Sequence, residues 1–318
     1  MLAGGSVVGD GGRVRHATLR AGLTVLALLA LPACSGDGAP GSDAAVSSGD
    51  PATCPGEILD VVVSVGGWGG VVRRVAGDCA TVTTIAPDAA APDELAPADR
   101  TAFADADLVV VNGARLDGWA AEAASAADAP VVLSAAEVAG DEQQGGDPHL
   151  WYDPAVVPAV AAAVADELER LSPDAAPYFD AQHTAWTAEL QPYLEAVAAL
   201  RAGAAGRTFA STDDVFGRMG EAVGLSDVTP AGPLRSSRTG EPSAEGVAAF
   251  EALLRGGAVD VLVQDGEAVD GVHDRLREAA DDAGVPVVEV TASPEDDDPF
   301  LDWQLAQLAE LAEALDLE

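Results

Sequence analysis

Apolar and polar positions along the chain follow two alternating periods. Short β-branched runs come first, at 58–65 (ILDVVVSV), 81–85 (TVTTI), 107–112 (DLVVVN) and 130–134 (PVVLS). Each is separated from the next by a helix-like segment or a loop, the alternation of a parallel sheet built from βαβ units. A second set follows at 207–211, 227–229, 259–264 and 285–290, with helical patterns at 241–256 and 272–283 between its members. Between the two sets, Val157, Val160, Val164, Leu168 and Leu171 mark one helical stripe. Residues 172–177 (SPDAAP) break it and cap the next helix. That helix is predicted over 174–201, with Phe179, Trp186, Leu190, Tyr193, Val197 and Leu200 on its apolar face. At 1.5 Å per residue it would be about 42 Å long. A last amphipathic helix carries Leu301, Leu305, Leu308, Leu311 and Leu315. The pattern predicts an α/β chain of two lobes. Each lobe is a four-stranded parallel sheet flanked by helices, and one long rigid connecting helix joins them beside a cleft. The predicted divisions are 55–172 for the first lobe, 173–202 for the connecting helix and 203–318 for the second lobe.

The N-terminus reads as targeting rather than fold. Arg13, Arg15 and Arg20 precede an apolar run at 21–33 that is too short to span a bilayer. The run ends in LPAC, Leu31 to Cys34, which resembles a bacterial lipobox. On that reading 1–33 is a signal peptide, Cys34 is lipidated, and 34–54 is a flexible tether of small polar residues. The alternative is a plain secretory signal followed by a chance cysteine. Either way the mature chain lies outside the cytoplasm, and lipidation would anchor it to the membrane through Cys34.

That compartment changes the reading of the other two cysteines. Cys54 precedes the first predicted strand and Cys79 the second, so neighbouring parallel strands would set them side by side as a disulfide. Two unpaired thiols are the alternative. The net charge is −37, and all 16 basic residues are Arg. This argues against nucleic acid or anionic lipid as a partner, and it does not by itself indicate cation binding. No G-x-S-x-G, H-E-x-x-H or phosphate-binding glycine loop is present, so an enzyme is not expected. The glycines of VGGWGG (65–70) fit a close backbone approach at the first strand–helix turn better than a nucleotide fingerprint.

The most specific stretch is DPHLWYDP, 147–154. Together with VVVSVGGWGGVVRRVAGD (61–78), ELAPADRTAFADADLVVVNG (94–113), TDDVFGRMGEAVGL (212–225) and the terminal DWQLAQLAELAEAL, it resembles the metal-binding solute-binding lipoproteins of zinc and manganese ABC importers (cluster A-I). The resemblance covers nearly the whole mature domain. It implies a divalent cation held between the lobes by four side chains, two from each. Carried over residue by residue, the first ligand position falls on Ala91 and the fourth at or next to Ala292, so both of those ligands are missing. The second falls on His149 and the third on Asp213.

Two side chains make an incomplete zinc site. Asp88, Asp93 and Glu94 near the first gap, and Glu295 to Asp298 near the second, are candidate oxygen donors that would favour a harder ion such as manganese. The simpler reading of the 295–298 run is solvated loop charge. His149 itself could be a structural ring in a turn. Its neighbours favour a ligand, because Asp147 and Pro148 fix the chain before it and Trp151 can pack beneath the ring. His183 is expected to be an exposed or capping residue on the connecting helix and His273 to sit on a surface helix, neither among donors. The loop 139–146 (AGDEQQGG) either attracts cations weakly or merely connects.

The resemblance implies an extracytoplasmic, monomeric binding protein that delivers zinc or manganese to an ABC permease of the cytoplasmic membrane. The competing reading is a diverged paralogue with a degenerate site, binding another small ligand or acting as a surface interaction protein.

Overall fold

The computed structural model describes residues 44–50, 52–87, 91–127, 131–141, 147–230, 243–266, 271–294 and 298–317. The predicted signal segment and Cys34 lie outside them. Among the described residues nine strands form two sheets. The first contains β1 (Ala45–Ser47), β2 (Leu59–Val65), β3 (Ala80–Ala86), β4 (Leu108–Val111) and β5 (Val132–Ser134), in the order β1-β3-β2-β4-β5. The second contains β6 (Thr208–Ser211), β7 (Ser226–Asp227), β8 (Val261–Asp265) and β9 (Val287–Val290), in the order β7-β6-β8-β9. All pairings are parallel except that of β1 with β3.

The four parallel strands of each sheet therefore share one topology, with the first strand in sequence lying between the second and the third. Order reverses between β2 and β4 in one lobe and between β6 and β8 in the other. In open α/β sheets, such switch points are where loops part to leave a ligand crevice at the carboxyl ends of the strands.

Strand alternation divides the core into layers. Val61, Val63 and Val65 of β2 belong to one large cluster, while Val62 faces the other way, toward Phe103, Ala120 and Ala124. In the second sheet Val261 and Val263 join the same large cluster, and Leu262 packs with Phe250, Leu254 and Leu276. The inner faces of both sheets thus share one apolar layer. It is supplied by the helices Gly66–Ala76, Val156–Leu171, Ala176–Glu189, Gln191–Gly203 and Phe300–Ala314. The outer faces have their own smaller cores. Among the described residues no helix is long and apolar enough to cross a membrane.

Three features depart from the sequence reading. The first sheet has a fifth strand, because residues 45–47, read as tether, pair antiparallel with β3. This short strand covers an edge that would otherwise leave backbone groups open. The connecting segment is two helices, Ala176–Glu189 and Gln191–Gly203, divided at Leu190. Pro192 is the reason: it has no N–H to give the Ala188 carbonyl, and its ring crowds that carbonyl. The bonds from Leu190 N to Trp186 O (2.9 Å) and from Leu194 N to Leu190 O (3.1 Å) carry the chain through the junction. Finally, His273 lies in a donor-bearing site rather than on an open helix surface, as described below.

Cys54 and Cys79 form a disulfide, with Cα atoms 4.9 Å apart. It ties the start of β2 to the start of β3, whose register pairs Leu59 with Ala80. Thr53 Oγ1 donates to Asp78 Oδ2 (2.8 Å) beside it. Closing a loop of this size stabilises a fold by about 3 kcal/mol. Cys54→Ser with Cys79→Ser should therefore lower unfolding stability by about 3 kcal/mol, read by urea denaturation. The oxidised protein in reductant should approach the same value, and an unchanged midpoint would contradict this assignment.

Candidate metal centre

The turn Asp147–Tyr152 is built from below by the switch point of the first sheet. Asn112, just past β4, donates from Nδ2 to the Pro148 carbonyl (2.9 Å) and accepts from Trp68 Nε1 (3.0 Å). Asn112 is placed in turn by buried Asp117. That carboxylate accepts from Ser64 Oγ (2.5 Å), Asn112 N (2.6 Å) and Gly113 N (2.9 Å). Gly113, Ala114 and Arg115 follow with φ of 75°, 48° and 66°. Left-handed backbone at two non-glycine residues persists only where the surroundings over-determine it, and the Asp117 bond to Gly113 supplies part of that constraint. Gly67, after β2, admits Trp151: a Cβ there would lie 2.3 Å from the indole Cδ2. The close approach inferred from VGGWGG is thus between the first helix and the Trp151 ring.

On this base the His149 ring is fixed. Asp147 Oδ1 accepts from the His149 backbone N–H (2.9 Å) and lies 2.7 Å from ring Nδ1. Trp151 packs its ring edge-on, with centroids 5.4 Å apart and planes at 85°. His149 is 4% exposed. A carboxylate on Nδ1 selects the tautomer whose Nε2 carries the lone pair, the arrangement that orients metal-binding imidazoles.

The same turn is bound to the second lobe at two points. Arg218, in the helix Gly217–Ala222, donates from its backbone N to Asp147 Oδ2 (3.2 Å) and from Nε to the Asp147 carbonyl (2.8 Å). Its guanidinium also pairs with Asp141 and lies 3.8 Å from Asp153. At the other end, buried Tyr152 Oη is 2.7 Å from both the Thr291 carbonyl and Gln307 Oε1. Burial pushes the Tyr152 phenol well above its ordinary pKa, so it stays a neutral donor.

Asp213 follows β6 at the switch point of the second sheet. Its Oδ2 accepts from Thr212 Oγ1 (2.7 Å) and lies 3.2 Å from His273 Nε2. His273 stands in the first turn of the helix Gly271–Ala283, in the connection after β8. The two side chains are 13% and 12% exposed. The structure therefore gives each predicted site residue a partner of its own, Asp147 for His149 and His273 for Asp213. Among the described residues no three His, Cys, Asp or Glu side chains are gathered into one metal-holding group. Sequence reasoning set His273 on a surface helix away from donors, which its contact with Asp213 corrects, and passed over Asp117 and Arg218. The available signal for His273 was its place soon after the strand run 259–264, at the carboxyl end of the second sheet.

The two deficient positions stay deficient. Ala91 is exposed, Asp93 beside it is exposed, and Glu94 makes a surface pair with Arg100 (2.7 Å). These acids do not replace the first ligand. Ala292 packs against the main core, and its neighbour Thr291 is engaged through Oγ1 with the Ser293 carbonyl and Trp303 Nε1. Asp298 lines a cavity of about 420 Å³ that reaches Thr291. Asp88, Glu295, Asp296, Asp297 and residues 142–146 lie outside the described residues. His183, half-buried on its helix, accepts from Thr187 Oγ1 through its carbonyl (2.9 Å).

Comparison with known proteins places this geometry in context. Residues 61–314 match the family model described as "Zinc-uptake complex component A periplasmic". The chain is 30% identical over 195 residues to the manganese-binding lipoprotein MntA of Halalkalibacterium halodurans. That match covers 59% of this chain and 65% of the relative, so it spans less than two thirds of the relative's length. A mutant laminin-binding adhesin (Lmb) of Streptococcus agalactiae superposes with a TM-score of 0.66 at 21% identity, covering 81% of this chain and 99% of that one. A ZnuA crystal structure gives 0.65 at 20% identity, with 82% and 98% covered. At these identities the structural matches establish the fold alone.

The support beneath His149 is testable without any ligand. Gly67→Ala forces a methyl into the Trp151 ring and should lower stability by about 2 kcal/mol. Gly118→Ala, where nothing lies within 4 Å of the added atom, should not. Thermal unfolding of the two variants separates them, and equal melting temperatures would contradict the packing described.

Proposed function

The chain belongs to the family of periplasmic zinc-uptake component A proteins, and from that premise we propose that it captures a divalent transition metal, zinc or manganese, for delivery to an ABC importer. His149 carries the reading. It is a buried imidazole with its Nδ1 on a carboxylate, in a turn rigidly seated at one switch point and tied to the opposite lobe. Asp213 is the matching carboxylate on the second lobe. Imidazole nitrogen and carboxylate oxygen suit both zinc and manganese. The MntA relative, itself named for manganese, supports the class of cargo.

In this reading the protein does no bond chemistry. The ion is the cargo, and occupancy biases the relative positions of the lobes, which a membrane permease reads. The ties through Arg218 and Tyr152 hold the turn to both lobes and favour a small movement. Cys34 would carry the lipid that keeps the protein at the outer face of the membrane as a monomer, within reach of its permease.

The test is calorimetric titration of metal-stripped full chain with Zn²⁺ and with Mn²⁺ near neutral pH. One ion per chain should bind. At a hundredfold excess over Kd the fold should gain about 2.7 kcal/mol of stability. His149→Gln should remove most of both effects. No heat and no thermal shift with either ion would sink the proposal.

A further inference from the structure

Resting on the cation-binding reading above, we infer that Arg218 is a positioning residue. From the second lobe it holds the Asp147 carboxylate and backbone, and through them it sets the His149 ring in the first. The imidazole is then fully oriented only while the lobes are in contact, so ring and lobe arrangement are coupled.

Asp147 is where the two demands meet. Its Oδ1 serves His149, accepting from the backbone N–H (2.9 Å) and lying 2.7 Å from ring Nδ1. Its Oδ2 and its carbonyl serve the other lobe. Oδ2 accepts from the Arg218 backbone N–H (3.2 Å), and the carbonyl accepts from Arg218 Nε (2.8 Å). One carboxylate thus spans the lobes, with one oxygen for each. A carboxylate held at a single oxygen can still rotate. Held at both, with its backbone pinned, it presents Oδ1 to the ring in one geometry, which is how outer partners orient a ligating imidazole.

The second lobe is shaped for this contact. A Cβ at Gly217 would lie 2.9 Å from Asp147 Oδ2, so the missing side chain lets the carboxylate reach the Arg218 N–H. Phe216, one residue earlier, is buried and packs edge-on against Tyr152, with centroids 6.4 Å apart. The first lobe's turn therefore rests on three consecutive residues, 216–218. Asp213 lies five residues before Arg218, on the same short connection after β6. The proposed second-lobe carboxylate and the clamp on Asp147 move together when that connection moves.

The rest of the guanidinium aims the clamp. Nη2 pairs with Asp141, and Nη1 lies 3.8 Å from Asp153. These charges hold the planar fork so that Nε faces the Asp147 carbonyl, a task that a flexible ammonium does not reproduce. Coupling of this kind is reciprocal. A cation on His149 Nε2 polarises the ring N–H toward Oδ1, and polarisation along a hydrogen-bond chain strengthens its other members. The lobe contact that orients the ring is in turn tightened by the ion that the ring binds.

The test reads the ring first without metal. Long-range ¹H–¹⁵N spectra of the metal-free full chain at about pH 8, above the ordinary imidazole range, report which His149 nitrogen carries the proton. The unaltered protein should show the Nδ1–H form. R218A and G217A should each raise the share of the Nε2–H form several-fold. Both should weaken zinc binding about tenfold, the low end for loss of an outer partner. R218K should fall between R218A and the unaltered chain. R201A is the control, because Arg201 Nη1 donates to the Ala222 carbonyl (3.1 Å) at the far end of the same helix. It should leave the ring and the zinc affinity unchanged. A melting temperature lowered in R218A with the His149 protonation pattern unmoved would make Arg218 merely structural and overturn the inference. So would an R201A variant that behaves like R218A. If neither zinc nor manganese binds the unaltered chain while the ring responds as stated, the cargo reading fails and the positioning of His149 by Arg218 stands. Should R218A not fold, R218K and G217A decide by the same spectra.

Discussion

The turn from Asp147 to Tyr152 is the constraint on which the rest of this structure depends. Its backbone is held by Asn112, its Trp151 ring fills the space that Gly67 leaves, and its Asp147 carboxylate orients His149. The same few residues reach the other lobe through Arg218 and Thr291. A strongly acidic chain would ordinarily keep three carboxylates such as Asp141, Asp147 and Asp153 apart. Here the Arg218 guanidinium, only 16% exposed, pairs with Asp141 and lies 3.8 Å from Asp153, while the Arg218 backbone N–H serves the Asp147 carboxylate. In that partly shielded position, removing the guanidinium would leave the carboxylates uncompensated, which costs more than it would at the open surface.

Seen from the sheets, the two lobes repeat one device. Each has the same strand order, and each brings an imidazole–carboxylate pair to its switch point. They differ in purpose. In the first lobe the carboxylate orients the ring and the lobe tie consumes its second oxygen. In the second lobe the carboxylate and ring form an ion-paired contact of 3.2 Å between elements 60 residues apart in sequence.

Much of the fold was legible because strand alternation is local. Val61, Val62 and Val63 announce a strand buried on both faces, and the eight predicted strands all lie at or within two residues of observed ones. The break at Leu190 was also written in the sequence, as Pro192, but the apolar spacing of Trp186, Leu190 and Tyr193 runs through it undisturbed. Strand β1 was hidden because three small residues in a polar stretch carry no period. The site was only half legible. His149 could be read from its neighbours, whereas His273 acquires meaning only from Asp213, and Arg218 only from Asp147. Such pairs are made by topology and leave no mark in spacing.

The central claim is that the ring seated by Asp147 presents Nε2 to a cation shared with the second lobe. Diffraction from crystals grown with zinc, recorded at the zinc absorption edge, addresses this most directly. The account predicts one anomalous peak about 2.0–2.2 Å from His149 Nε2, with Asp213 drawn into the same coordination sphere from the second lobe. Anomalous signal confined to exposed carboxylates, or its absence beside His149, would contradict it.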